Sequence, residues 1–137
     1  MRILGSAVAA LMLCACSQQA AEPTRAELVA RGQYLVTSVA GCNDCHTPMT
    51  PQGPDMAHSL QGAPILMAPT IEIAWATVAP PIAGLPLNFT EAQLAAFLQT
   101  GVRPDGASPR APMPPYRMND DDARAVAAYI STMPHAQ

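Results

Sequence analysis

Cys42-Asn43-Asp44-Cys45-His46 is the stretch of this 137-residue chain whose residue types and spacing carry the most chemistry. Two thiols three positions apart fall on one helical turn, so both can add to the vinyl groups of a single porphyrin. The next residue then places an imidazole beneath the iron, the proximal role that histidine plays in haem proteins. Cys-x-x-Cys-His is accordingly the attachment sequence of a c-type haem, and the chain contains it once. A Cys-x-x-Cys pair also serves as a redox dithiol or as half of a structural zinc site. Zinc needs two further ligands, but the other cysteines, Cys14 and Cys16, lie in an apolar leader and no closely spaced pair of histidines follows. A dithiol of the thioredoxin kind sits in a βαβ pattern, which the flanking sequence lacks. One covalently bound haem c is therefore the expected cofactor, with thioethers at Cys42 and Cys45 and the iron on His46.

The leader sets the compartment. Met1-Arg2 precedes an apolar run from Ile3 to Leu13 broken only by Gly5 and Ser6, which reads as an export signal too short to span a bilayer. Leu13 stands three before Cys16 and the small Ala15 directly before it, a pattern that resembles a bacterial lipobox. Cys14 fits less well, because bulky Leu13 would occupy its small-residue position. The competing reading is an ordinary signal cleaved near Ala20 or Ala21. With Cys16 as the lipidation site, the expected organisation is a lipoprotein signal peptide at 1–15, a lipidated tether at 16–23 and one mono-haem domain at 24–137. Each buried acyl methylene contributes about 0.8 kcal/mol, so several chains on one terminus anchor firmly. Ser17 after the cysteine matches outer-membrane sorting. The expected location is the periplasmic side of a bacterial membrane.

Composition narrows the partners. Every basic residue is arginine; removing Arg2 leaves six arginines against ten acidic residues, a formal charge of -4 (6 − 10). That balance argues against nucleic acid and against a lysine-ringed docking face, leaving apolar or arginine-centred contacts. Two Phe, one Trp and three Tyr make a thin aromatic core, and a buried porphyrin would supply apolar volume to so small a domain.

Three helices must position the motif. Thr24-Arg25-Ala26-Glu27 is a capping box, and Leu28, Gly32, Leu35 and Val39 recur at helical spacing on one face. Gly32 in that stripe costs about 1 kcal/mol of helix propensity, which suggests close approach by Ala123 or Ala127 of the last helix, with Tyr34 and Tyr129 beside the contact. Thr90-Glu91-Ala92-Gln93 opens a second helix that Gly101 stops. Asn119 caps the third, with Asp120, Asp121 and Asp122 favourable to its dipole; Ala123, Val126, Ala127 and Ile130 form its buried stripe and Pro134 ends it. Between Thr47 and Asn88 prolines and glycines scatter without a period, so a long loop is expected to wrap the cofactor, with a short strand or helical turn between Ile71 and Val78.

Candidates for the second axial position are His58, His135 and the methionines, of which Met113 stands out, followed by Met118 and His58. Met113 lies in Arg110-Ala111-Pro112-Met113-Pro114-Pro115-Tyr116. Proline fixes φ and pushes the preceding residue toward extended backbone, so this segment is a stiff arm able to present a thioether sulfur. A lone methionine is usually core filler; the proline frame and the position before the last helix favour Met113 as distal ligand.

Taken together, the Gly-x-Tyr-Leu helix, Cys-x-x-Cys-His, the Met-Pro loop and the C-terminal Ala-rich helix ending Ala-Tyr-Ile resemble class I cytochrome c, an all-α fold. The stretch from Asn88-Phe89-Thr90 to Gly101-Val102-Arg103-Pro104-Asp105-Gly106, with the Met-Pro-Pro-Tyr loop, is similar to haem domains in cytochrome subunits of bacterial alcohol, aldehyde and sugar dehydrogenases, although those subunits carry several haems. The resemblance implies Cys42 and Cys45 as thioether sites and His46 and Met113 as axial ligands. It implies a one-electron carrier serving a dehydrogenase or oxidase, with no catalytic residues of its own. The alternative is a haem enzyme or gas-sensing domain with a displaceable sixth ligand, in which His58 could act as a distal proton donor.

Overall fold

Side-chain capping starts the helices. The computed structural model describes residues 21–135; the leader and Cys16 lie outside them. The Thr24 hydroxyl accepts from the Glu27 amide while the Glu27 carboxylate accepts from the Thr24 amide, opening α1 (Arg25–Tyr34). A turn of π-helix over Leu35–Val39 extends α1, and the short helix α2 (Cys42–His46) follows. Thr90 and Gln93 form the same reciprocal cap on α3 (Glu91–Thr100), which stops at Gly101 with φ 70°. Asn119 accepts from the Asp122 amide to open α4 (Asp120–Thr132). Each such cap contributes about 1 kcal/mol.

Two expectations change in detail. The π-turn closes with the Ala40 amide donating to the Leu35 carbonyl at 2.8 Å, so the helix widens and its apolar face rotates. Leu35 and Val36 are buried, whereas Val39, expected on that face, is 59 % exposed. The close helix crossing expected of Gly32 is present but meets different residues. A Cβ on Gly32 would stand 1.9 Å from the Ala125 carbonyl oxygen and 2.7 Å from Tyr129 Cβ. Ala123 and Ala127 are fully buried beside this contact. Tyr34 turns to solvent beneath the Arg31 guanidinium, which lies 5.7 Å from its ring centre.

α4 is the spine of the core, packing on both α1 and α3. Val36, Leu60, Val126 and Ile130 are almost wholly buried, each contributing about 1.5–3 kcal/mol. Phe97 meets Phe89 edge to face at 6.0 Å. Arg25 binds Glu91, Ser131 and the Ala128 carbonyl, joining the starts of α1 and α3 to the end of α4. Arg31 pairs with Asp122 at 2.9 Å; exposed pairs of this kind contribute under about 1 kcal/mol.

The long middle segment is more ordered than its sequence suggests, through short-range ladders and long-range clasps. β1 (Met49–Thr50) pairs antiparallel with β2 (Gly53–Pro54), and β3 (Ala63–Pro64) with β4 (Val78–Ala79). A 3-10 turn over Met56–His58 follows an Asp55 cap. Among the described residues, four α-helices and these two-residue ladders make the architecture mostly helical, in line with the all-α expectation.

Candidate functional site: a thiol-imidazole turn facing a proline-framed arm

Gly41 takes φ 63°, a left-handed conformation that glycine adopts at least cost, and launches α2 at once. Cys42 and Cys45, free and partly buried, therefore share one turn. His46 is buried, and its Nδ1 lies 2.7 Å from the Pro80 carbonyl oxygen. A carbonyl can only accept, so Nδ1 carries the proton and donates, which leaves the Nε2 lone pair for a metal. Burial lowers the His46 pKa, against the opposing pull of the Pro80 carbonyl; the imidazole is thus neutral near pH 7, the form that ligates. Burial pushes the Cys42 thiol up to about 11.

Behind α2 lies a polar knot that sequence reasoning did not find. Thr47, 1 % exposed, donates to Asn43 Oδ1 at 2.8 Å and accepts from the Leu60 amide at 2.9 Å. Ser59 donates to the same Asn43 oxygen at 2.8 Å, and the Gly62 amide donates to the His46 carbonyl at 2.8 Å. Asn43 and Thr47 stand four apart, one helical turn, which is the one local signal of this contact. Its partners thirteen or more residues away leave none. Buried and fully paired, the knot fixes the back of the turn that carries the thiols and imidazole.

The proline arm is held along its length. The Ala76 amide donates to the Ala111 carbonyl at 2.7 Å, the Met113 amide to the Arg110 carbonyl at 3.2 Å and the Met118 amide to the Leu98 carbonyl at 3.1 Å. The Tyr116 hydroxyl donates to the Ala40 carbonyl at 2.6 Å, two residues before Cys42. Burial raises the Tyr116 phenol to about 12, so it stays a donor at any physiological pH. Cys42, Met113, Tyr116 and Met118 are all partly buried and pack against the one core. His58 stands apart: it is exposed and hydrogen-bonded through Nδ1 to Asp55 at 2.7 Å. His135 is exposed beyond α4, against Gly84.

This donor set fits a covalently held haem. It offers two unpaired thiols on one turn, an oriented neutral imidazole next to them, and a second, sulfur-bearing segment tied to the same turn through Tyr116. Among the described residues no group of three or more His, Cys, Asp or Glu stands together as a metal site would need.

Comparison with known proteins agrees. The chain is 31% identical over 110 residues to a diheme cytochrome c-type protein of Cereibacter sphaeroides, an alignment covering 76% of this chain and 35% of that one. It therefore spans about a third of the length of that relative. Residues 29–134 match the family model for cytochrome c, and with its single Cys-x-x-Cys-His turn this chain belongs to the cytochrome c family, an electron-transfer family that attaches haem c covalently.

Proposed function

We propose that this chain is a membrane-anchored one-electron carrier in a bacterial respiratory or dehydrogenase-linked chain. In this reading Cys42 and Cys45 form the thioethers, His46 is the proximal ligand, Met113 the distal ligand and Cys16 the acylated residue. The bound haem supplies the iron couple that takes up and releases one electron. The protein's part is to hold two axial donors still so that little rearranges between oxidation states. The observation that carries this reading is the two-sided restraint: Pro80 fixes the ring of His46, and Ala76, Tyr116 and Leu98 fix the arm of Met113. A gas sensor or oxygen-activating enzyme needs an open or displaceable sixth site, and His58, the candidate distal proton donor, is exposed and hydrogen-bonded to Asp55.

The ferric absorption spectrum tests the carrier. The weak long-wavelength band of methionine sulfur on ferric haem iron is expected, together with reversible one-electron titration. A high-spin, five-coordinate ferric spectrum would reject it.

Thioethers survive unfolding. Acid-acetone extraction of the holoprotein should therefore leave all haem on the chain, and Cys42→Ala with Cys45→Ala should abolish retention. Haem extracted from the unaltered protein would overturn the covalent assignment to these thiols.

Anchoring is checked separately. Cys16→Ser should move the protein from the membrane to the soluble fraction, or leave it uncleaved, with an unchanged haem spectrum. Mass spectrometry finding an unmodified N-terminus beyond Cys16 would reject lipidation.

A further inference from the structure

A ring of hydrogen bonds closes the His46 side of the site, and it passes through Leu60. The Leu60 amide donates to the Thr47 hydroxyl at 2.9 Å, and Thr47 donates to Asn43 Oδ1 within α2 at 2.8 Å. The Leu60 carbonyl accepts from the Ile82 amide at 2.9 Å and from the Ala83 amide at 3.1 Å. Those two residues follow Pro80 and Pro81, and the Pro80 carbonyl accepts from His46 Nδ1 at 2.7 Å. Thr47 directly follows His46, so the ring closes on the imidazole. Leu60 has φ 59°, in the left-handed region that a leucine occupies only where its surroundings impose it. Its side chain is fully buried, but burial alone does not ask for that backbone. The hydrogen bonds do, because they need the amide aimed at Thr47 while the carbonyl is aimed at the segment after Pro81. Gly62 tightens the same clasp: its amide donates to the His46 carbonyl at 2.8 Å, and a Cβ there would stand 2.9 Å from Pro81 N.

We infer that Leu60 and Thr47 are positioning residues for His46: through Ile82 and Ala83 they hold the Pro80 carbonyl against Nδ1 and so set the donor strength of the imidazole. The inference rests on the reading of His46 as iron ligand and deepens it. Neither Pro80 nor Pro81 has an amide with which to fasten itself. Ahead of them the chain is held by β4, which ends at Ala79 and pairs with β3. Behind them the first two amides are those of Ile82 and Ala83, and both go to Leu60. The place of the Pro80 carbonyl on that side is therefore decided by one strained residue, whose own place is decided by the Thr47 hydroxyl. Asn43, His46, Thr47 and Leu60 are all buried, so water does not compete for these bonds. A carbonyl that accepts from the far ring nitrogen makes a ligating histidine more basic, and hydrogen bonding of this kind is one of the levers on a haem potential. A more basic imidazole favours ferric iron. A tighter Nδ1–H···O bond thus lowers the potential, and a looser one raises it.

The test uses the full-length holoprotein carrying Thr47→Val, which keeps the shape of the side chain and removes the hydroxyl. The buried Leu60 amide then has no acceptor, a penalty that the chain relieves by moving it. At a fixed applied potential the ratio of ferrous to ferric protein should rise roughly threefold, which is about 30 mV for one electron. Exchange of the His46 Nδ1 proton, followed by NMR, should quicken in step. Thr47→Ser restores the hydroxyl and should restore both values. Leu60→Gly keeps the left-handed backbone and its hydrogen bonds but empties a core position, so it should melt lower with its potential nearly unaltered. Ser59→Ala removes one of the two donors to Asn43; it should shift potential and exchange the same way by less, and it carries the test if Thr47→Val does not fold. A potential that stays or falls in the folded variants would overturn the proposal. So would a Thr47→Ser protein that behaves like Thr47→Val, or a Leu60→Gly protein whose potential moves as far. The ring signals of His46 in the unaltered ferric protein separate the two readings. Signals not displaced by the unpaired electron refute the ligand assignment, whereas displaced signals with an unmoved potential in the variants refute the positioning role alone.

Discussion

Met113→Ala is expected to lower the reduction potential by on the order of a hundred millivolts, a fraction of the roughly 0.8 V that axial ligation spans. A thioether is a soft donor that stabilises the ferrous state, and its loss leaves the iron to water or added small ligands. The methionine band in the ferric spectrum should vanish and cyanide or imidazole should bind readily. Met113→His should restore six-coordination at a potential below that of the unaltered protein, since imidazole favours ferric iron more than a thioether does. Met118→Ala and His58→Ala are the controls. The Met118 backbone is tied to Leu98 at the end of α3, and the imidazole of His58 is tied to Asp55, so neither change should alter the axial spectrum. A band that survives Met113→Ala and disappears in Met118→Ala would move the ligand five residues along and refute the proline-frame argument.

The second large effect is expected at Gly32. Alanine is the better helix former by about 1 kcal/mol, so an isolated α1 would gain from Gly32→Ala. In the folded protein the new methyl group meets the Ala125 carbonyl at 1.9 Å and its carbon at 2.6 Å. Both atoms belong to the α4 backbone and cannot turn aside, so α1 and α4 must separate and unpack Val36, Val126 and Ile130. Overpacking of this kind costs about 1–3 kcal/mol or more, which outweighs the propensity gain. The holoprotein should melt lower by roughly 5 °C or more, with a lower denaturant midpoint and a ferric spectrum unchanged below the transition. Gly32→Leu should be worse. A melting temperature equal to or above that of the unaltered protein would mean that the two helices do not cross this closely.

What could be read from the residues follows from the range of the physics. Helix starts were legible because capping is local: Thr24 with Glu27, Thr90 with Gln93 and Asn119 with Asp122 interact across three residues. The haem turn was legible because covalent chemistry dictates its spacing. Phase was less legible. Periodicity assumes 3.6 residues per turn, and the π-turn after Tyr34 breaks that assumption, exposing Val39 and burying Val36. Gly32 announced a close crossing, but the angle between two helices decides whether Ala123, Ala125 or Ala127 lies under it. The middle segment was the least legible. Its order comes from single bonds across long separations, such as His46 to Pro80 and Leu60 to Thr47, and no window along the chain contains both ends. The proline arm was readable as a stiff element, whereas its fastening through Tyr116 to the Ala40 carbonyl was not.

Arg25, the first residue of α1, has a mechanical consequence. Its guanidinium reaches Glu91 at the start of α3 and the Ala128 carbonyl and Ser131 near the end of α4. A pull on the N-terminal segment reaches the folded domain through the Glu22–Arg124 pair and then through this residue. The load is shared at once among three helices instead of running down α1 toward Cys42 and His46. Under the proposed anchoring at Cys16, drag on that end would reach the bundle before the Cys42–His46 turn.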